Sequence, residues 1–141
     1  MYFVNVMYPR TASGRFDLDY YLRVHAPLGI GLLWKHFQVK PITLDVQTDT
    51  FGVDRTEASA QYAVISTVTF STRAEAECFI DLFERPREAA VLSSDWPNFT
   101  DGQPVVVLGS VSPMDVDEVI QQSHAVIEAA FAASGQASAQ D

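Results

Sequence analysis

Three segments of this chain are apolar on both sides when laid out as strands, and that narrows the folds open to it. In Y-F-V-N-V-M-Y (2–8), Tyr2, Val4, Val6 and Tyr8 share one face, and Phe3 and Met7 share the other. In Y-A-V-I-S-T-V-T-F (62–70), Tyr62, Val64, Val68 and Phe70 oppose Ala63 and Ile65. In Q-P-V-V-V-L-G-S-V (103–111), Val105, Val107 and Val111 oppose Val106 and Leu108. An antiparallel sheet with one face in water alternates apolar with polar residues instead. Strands of this kind need a cover on each face, because soluble monomers avoid large exposed apolar patches.

The segments between them supply one cover. Asp17 is placed to cap a helix that runs to about residue 25, is interrupted at Pro27 and continues through L-L-W-K-H. V-K-P-I-T-L-D-V-Q (39–47) reads as a strand whose Pro41 suits an edge or a strand start. Residues 48–60 are polar and read as a mobile loop. T-R-A-E (72–75) fits a capping box, followed by Ala76, Phe79, Ile80 and Phe83 at helical spacing. Pro86 suits the first turn of a second short helix, and W-P-N-F-T-D-G (96–102) is an aromatic loop. The order is β-α-β-β-α-β, the ferredoxin-like α+β pattern: a four-stranded antiparallel sheet with helices on one face.

The other face requires a second cover. One candidate is a second copy of the chain, sheet to sheet, as a homodimer. The other is the C-terminal segment, where Asp115 and Glu118 form an acidic capping box before Val116, Val119, Ile120, Ile127 and Phe131. That helix would span only about 25 Å at 1.5 Å per residue, which favours the dimer. Residues 1–112 therefore read as one domain, and 113–141 as a helical extension with a small, polar, disordered tail.

Net charge is −9, and an acidic surface repels phosphate backbones, so nucleic acid is not an expected partner. No stretch is apolar enough to cross a membrane and the N-terminus lacks a basic leader, so a cytoplasmic protein is expected. Cys78, the single cysteine, falls among apolar neighbours of a helix and reads as a buried, inert thiol.

The stretch F-D-L-D-Y-Y-L-R-V-H-A-P-L (16–28) places a histidine on an apolar stripe. At about 100° per residue, Leu18, Tyr21, Leu22 and His25 fall within one arc, with Asp19 and Arg23 opposite. His25 should therefore face the sheet. Pro27 cannot donate to the carbonyl of Arg23, so the helix is expected to end or kink just after His25. That would bring a negative helix end near the imidazole, favouring its protonation, while burial opposes it. Two readings of His25 stay open: a core residue bonded to a backbone carbonyl, or an acid/base group at a pocket wall. Tyr21, one turn earlier, could place a phenol within hydrogen-bonding range. His36 reads as exposed, and His124 lies in the appended helix. The sequence carries no H-x-x-x-H, C-x-x-C, Walker or G-x-G-x-x-G pattern, so neither a metal nor a cofactor is expected.

A strand ending in Y-P, followed by F-D-x-D-Y-Y-L-x-x-H-x-P-L, resembles the EthD family. Y-A-V-I-S-T-V-T-F-S-T-R-A-E-A and W-P-N-F-T-D-G-Q-P are similar to that family's third strand, second helix and closing loop. The likeness covers roughly residues 1–112. It implies a dimeric α+β barrel in which two ferredoxin-like subunits press their sheets together. It also implies a small aromatic or alicyclic ligand held between helices and sheet. The family histidine maps onto His25 and the tyrosine pair onto Tyr20 and Tyr21. Asp17 matches as well, but its position reads as a helix cap more readily than as a catalytic group.

Two functions follow. The first is a cofactor-independent isomerase, dehydratase or cyclase acting on a small hydrophobic compound. His25 would be its general acid or base and Tyr21 would polarise a carbonyl or hydroxyl. Tyr20, Trp34, Trp96 and Phe99 would bind substrate or line the pocket mouth, although for Trp34, Trp96 and Phe99 ordinary core packing is the commoner role of such aromatics. The second is a non-catalytic ligand-binding or accessory dimer of a degradation pathway. A cavity of about 300 Å³ or more opening onto His25 would favour the enzyme. An imidazole bonded only to backbone in a closed core would favour the accessory protein.

Overall fold

The computed structural model describes residues 1–136. The elements are β1 (Tyr2–Pro9), α1 (Leu18–Tyr20), α2 (Ala26–Phe37), β2 (Thr43–Gln47), β3 (Tyr62–Phe70), α3 (Arg73–Phe83), α4 (Pro86–Asp95), β4 (Val105–Ser110) and α5 (Val116–Ser134). They form two compact units, Met1–Val111 and a second that begins at Ser112. In the first unit the strands pair antiparallel in the order β2-β3-β1-β4, and the helices cover one face: the ferredoxin-like α+β fold.

The covered face is set by register. Tyr8 pairs with Val64, Val6 with Ser66, and Val4 with Val68, and all six are buried. Leu33, Leu82 and Leu92 pack down from the helices to close this core. Strand β2 begins at Thr43, four residues later than its apolar pattern suggests, because Pro41 has no N–H to give the ladder. Ile42 supplies the first donor, to the Thr69 carbonyl at 2.7 Å. As its proline suggests, β2 lies at a sheet edge.

The opposite face is apolar over only part of its area, which corrects the sequence reading. Phe3, Met7, Ile65, Val105 and Val107 lie on it, with Val105 43% and Val107 49% exposed. Asn5 and Thr67 also face that way and hydrogen-bond at 2.7 Å, and β2 adds Thr43, Asp45 and Gln47. The apolar half is therefore the β1–β4 side. Cross-strand pairing makes one polar residue on this face recruit another, so a strand-by-strand count of hydrophobes overstated the patch.

The helix caps form where residue types call for them. The Asp17 carboxylate accepts from the Tyr20 N–H at 3.1 Å, and Thr72 from the Glu75 N–H at 3.2 Å. The Glu75 carboxylate meets the Ser71 hydroxyl rather than closing the box on Thr72. The 48–60 loop is tied down, not loose. The Arg10 guanidinium donates to the Thr50 hydroxyl and to the Thr50 and Ala60 carbonyls. At Gly52 a Cβ would sit 1.9 Å from the Ser59 hydroxyl, so only glycine fits the fold-back. Cys78 is half-buried, not enclosed. The α5 helix is capped by Asp115, whose carboxylate accepts from the Glu118 N–H at 3.2 Å, and ends on Gly135 in the left-handed region at φ 74°. Most of the expected polar tail lies outside the described residues. No helix of the described residues is long and apolar enough to cross a membrane.

Candidate active site

Pro27 does not stop the helix. Residues Tyr21–His25 form a single π-helical turn, in which the Ala26 N–H reaches back five residues to the Tyr21 carbonyl, and α2 then runs on to Phe37. The wide turn makes room for the proline ring that would otherwise press on the carbonyl of Arg23. The expected negative helix end beside His25 is therefore absent. The turn also changes the angular step. Leu22, counted on the inward stripe, is 46% exposed, whereas Tyr21 and His25 remain buried with their rings stacked at 5.7 Å.

His25 does turn inward, and its partner is a carboxylate rather than the backbone. Nδ1 lies 2.9 Å from Oδ2 of Asp95, and both side chains are about nine-tenths buried. Asp95 ends α4, seventy residues along the chain. Its other oxygen accepts from the Tyr20 hydroxyl at 2.5 Å and from the Asn98 amide at 2.9 Å. Burial pushes the Asp95 carboxyl up, but the donors from Tyr20, Asn98 and His25 outweigh it, so its pKa is lowered and it stays ionised. At His25 burial is the larger influence and pulls the imidazole below its ordinary value, partly offset by Asp95. The resting state is thus a neutral ring that donates Nδ1–H to Asp95 and carries its lone pair on Nε2.

Nε2 has no hydrogen-bond partner among the described residues. Since no buried side-chain nitrogen or oxygen among them lacks a partner, Nε2 must keep contact with open space. His25 lies on the wall of a cavity of about 60 Å³ between the covered sheet face and the helices. Its floor is the cross-strand row Ser66–Val6–Val106. Its roof is apolar, from Ile30, Phe79, Leu82 and Trp96. One end is polar: the Tyr21 and Ser66 hydroxyls lie 2.6 Å apart, and Tyr8, its ring edge-on to that of Tyr21 at 5.4 Å, adds a third hydroxyl. Burial raises the pKa of both Tyr8 and Tyr21, so both keep their protons.

The six residues expected at the site divide three ways. His25, Tyr21 and Trp96 line the cavity. Tyr20 and Phe99 stand behind it. Tyr20 holds Asp95, while Phe99, fully buried, packs its ring 4.6 Å from that of His25. Trp34 does not belong to it: it is 52% exposed, because nine residues at about 100° each place it roughly opposite His25 on the helix. His36, expected in solvent, is instead partly buried with Nε2 3.0 Å from Glu88. Asp95, Ser66 and Tyr8 were not anticipated. Two had visible signals: an acid in the last turn of a helix opposes the dipole, and Ser66 interrupts the apolar row Val64–Val68. Among the described residues no group of three His, Cys, Asp or Glu is placed to hold a metal ion.

A ferredoxin-like sheet with a histidine-bearing cavity between helices and strands defines the class: small α+β proteins with a mostly apolar pocket. Within it, the EthD domain matches residues 11–103, about two thirds of the chain, and the chain belongs to that family. An EthD-like protein from Ralstonia eutropha JMP134 aligns with 23% identity over 82% of this chain and 96% of its own, with TM-score 0.62. An ethyl tert-butyl ether degradation (EthD) family protein from Bacillus halodurans C-125 aligns at 13% identity over 79% of this chain and 99% of its own, with TM-score 0.51. No curated protein matches the chain.

Proposed function

We propose that this EthD-family chain works as a homodimer that binds a small hydrophobic, oxygenated ring compound in the cavity and moves a proton on it. The observation that carries the reading is the 2.9 Å contact between His25 Nδ1 and Asp95, with Nε2 left free at the cavity wall. A carboxylate on one ring nitrogen fixes the tautomer and stabilises the imidazolium that forms when the other nitrogen takes a proton. Nε2 is then the base for an acidic C–H. Tyr21 supports the substrate oxygen. Its hydroxyl, 2.6 Å from that of Ser66, can turn its proton to Ser66 or to a developing enolate. Returning the proton to a different carbon or oxygen gives an isomerisation; delivering it from the imidazolium to a β-hydroxyl, which leaves as water as the C–O bond breaks and the double bond forms, gives a dehydration. The sequence of steps calls for no cofactor.

The cavity is smaller than the ~300 Å³ typical of a drug-sized ligand. A ring compound would therefore need the wall at Phe79 and Trp96 to move. That observation favours a second reading, a non-catalytic accessory dimer in which the cavity is a packing gap. Proton exchange separates the two. Incubated in deuterated buffer with small cyclic ketones and hydroxyketones, the chain is expected to accelerate loss of the α-proton signals over buffer. No acceleration with any of them would leave the accessory reading standing.

The dimer rests on the β1–β4 side of the open face, where Phe3, Met7, Val105 and Val107, with Ile65 of β3 beside Met7, surround Asn5 with apolar surface suited to a second copy. Light scattering at micromolar concentration is expected to give twice the 15.6 kDa chain mass. Val107→Asp, which would bury a charge in the interface, is expected to give the single mass. A native chain that already scatters as a monomer contradicts the dimer.

A further inference from the structure

A second cleft, of about 360 Å³, shares no residue with the His25 cavity. Leu32, Lys35 and His36 reach it from α2, and Arg85, Arg87, Glu88 and Val91 from the start of α4. The chain as a whole is strongly acidic, with nine Lys and Arg against eighteen Asp and Glu. Three of those nine cations nevertheless line this one cleft, together with a histidine and a single acid. The acid is already engaged: Glu88, its side chain 12% exposed, lies 3.0 Å from His36 and 3.4 Å from Arg85. Lys35 and Arg87 are left without an ion pair or hydrogen bond among the described residues. Arg87 lies in the first turn of the ten-residue α4, at the positive end of its dipole, and Lys35 reaches the cleft from the last turn of α2. Concave walls concentrate the field of such charges, so the cleft is a local anion trap on an acidic molecule. Its two remaining walls, Leu32 and Val91, are aliphatic.

We propose that this cleft binds an organic oxyanion, a carboxylate or phosphate carried on a short apolar group. The guanidinium of Arg87 suits the planar fork of such an oxyanion, and the Lys35 ammonium adds a point charge. Leu32 and Val91 cover the carbon chain. Glu88 stays with His36 and Arg85 and excludes ligands that carry a cation.

Calorimetric titration of the full chain with sodium hexanoate, monobutyl phosphate, inorganic phosphate and hexan-1-ol tests this. Hexanoate, monobutyl phosphate or both are expected to bind saturably, with inorganic phosphate and hexanol at least about tenfold weaker. Binding by only one of the two assigns the headgroup. Affinity should fall as salt is raised. Lys35 and Arg87 are exposed, so the double variant Lys35→Ala/Arg87→Ala should keep its circular dichroism and lose about tenfold or more in affinity. Single Lys35→Gln and Arg87→Gln variants should each weaken binding, and His25→Ala should leave it unchanged. Absence of saturable heat with either organic oxyanion up to about 10 mM overturns the proposal. So does undiminished binding by the double or single variants, or hexanol binding as tightly as hexanoate.

Discussion

Phe99→Ala is expected to cost about 3–5 kcal/mol of folding stability, the range for truncating a fully buried phenylalanine. The ring is 0% exposed and lies at the centre of an aromatic cluster, with centroids 5.5 Å from Tyr8, 5.4 Å from Phe16, 5.3 Å from Tyr21 and 4.6 Å from His25. These neighbours come from β1, the turn before α1 and the π-turn, so the cavity left behind cannot close by shifting one element. The backbone of Phe99 also carries weight, since its carbonyl accepts from the Asp17 N–H at 2.8 Å, but alanine retains that bond. The loss is therefore side-chain packing alone. Against a typical total of about 5–15 kcal/mol it would leave a marginal protein. Urea unfolding followed by circular dichroism measures it, with Phe99→Leu expected to lose clearly less. A loss below about 1 kcal/mol would show that the cluster is not packed as described.

The second large effect is on chemistry. His25→Ala is expected to slow the α-proton exchange on the order of 10²-fold, the usual contribution of one positioned base. The fold should survive, because removing the imidazole does not strand a charge. Asp95 keeps its bonds from Tyr20 and Asn98. Asp95→Asn is the informative companion. It leaves the shape of the site intact and still offers Tyr20 an acceptor, yet it withdraws the charge that stabilises the imidazolium. Its exchange rate should fall while its unfolding midpoint changes little. Exchange at the native rate in a folded His25→Ala chain would remove the imidazole from the reaction.

Much of this architecture could be read from local pattern, and the reason is physical. Strand alternation, the Asp17 and Thr72 caps and the helical spacing of Ala76 and Phe79 depend on neighbours within a few residues, so the sequence displays them directly. The inward turn of His25 was legible for the same reason, since it shares a helix face with Tyr21. What could not be read depended on pairs far apart in the chain. Asp95 meets His25 across seventy residues, and nothing near position 25 announces it. The π-turn hid Leu22 because the 100° step fails where a proline forces the helix to widen. Trp34 was misplaced through weighting residue type above helix phase, although the phase was available. Ser66 was visible as a polar break in the covered row and marked the polar end of the cavity.

On this geometry His25 rests neutral, its Nδ1–H donating a hydrogen bond to Asp95 and its Nε2 unprotonated. Nitrogen-15 NMR of the imidazole through a pH titration tests it most directly. An Nδ1–H tautomer is expected at neutral pH with a pKa below the ordinary 6.5, moving lower still in Asp95→Asn as the carboxylate's support is withdrawn. A ring protonated on Nε2 instead, or a pKa at or above 6.5, would contradict it.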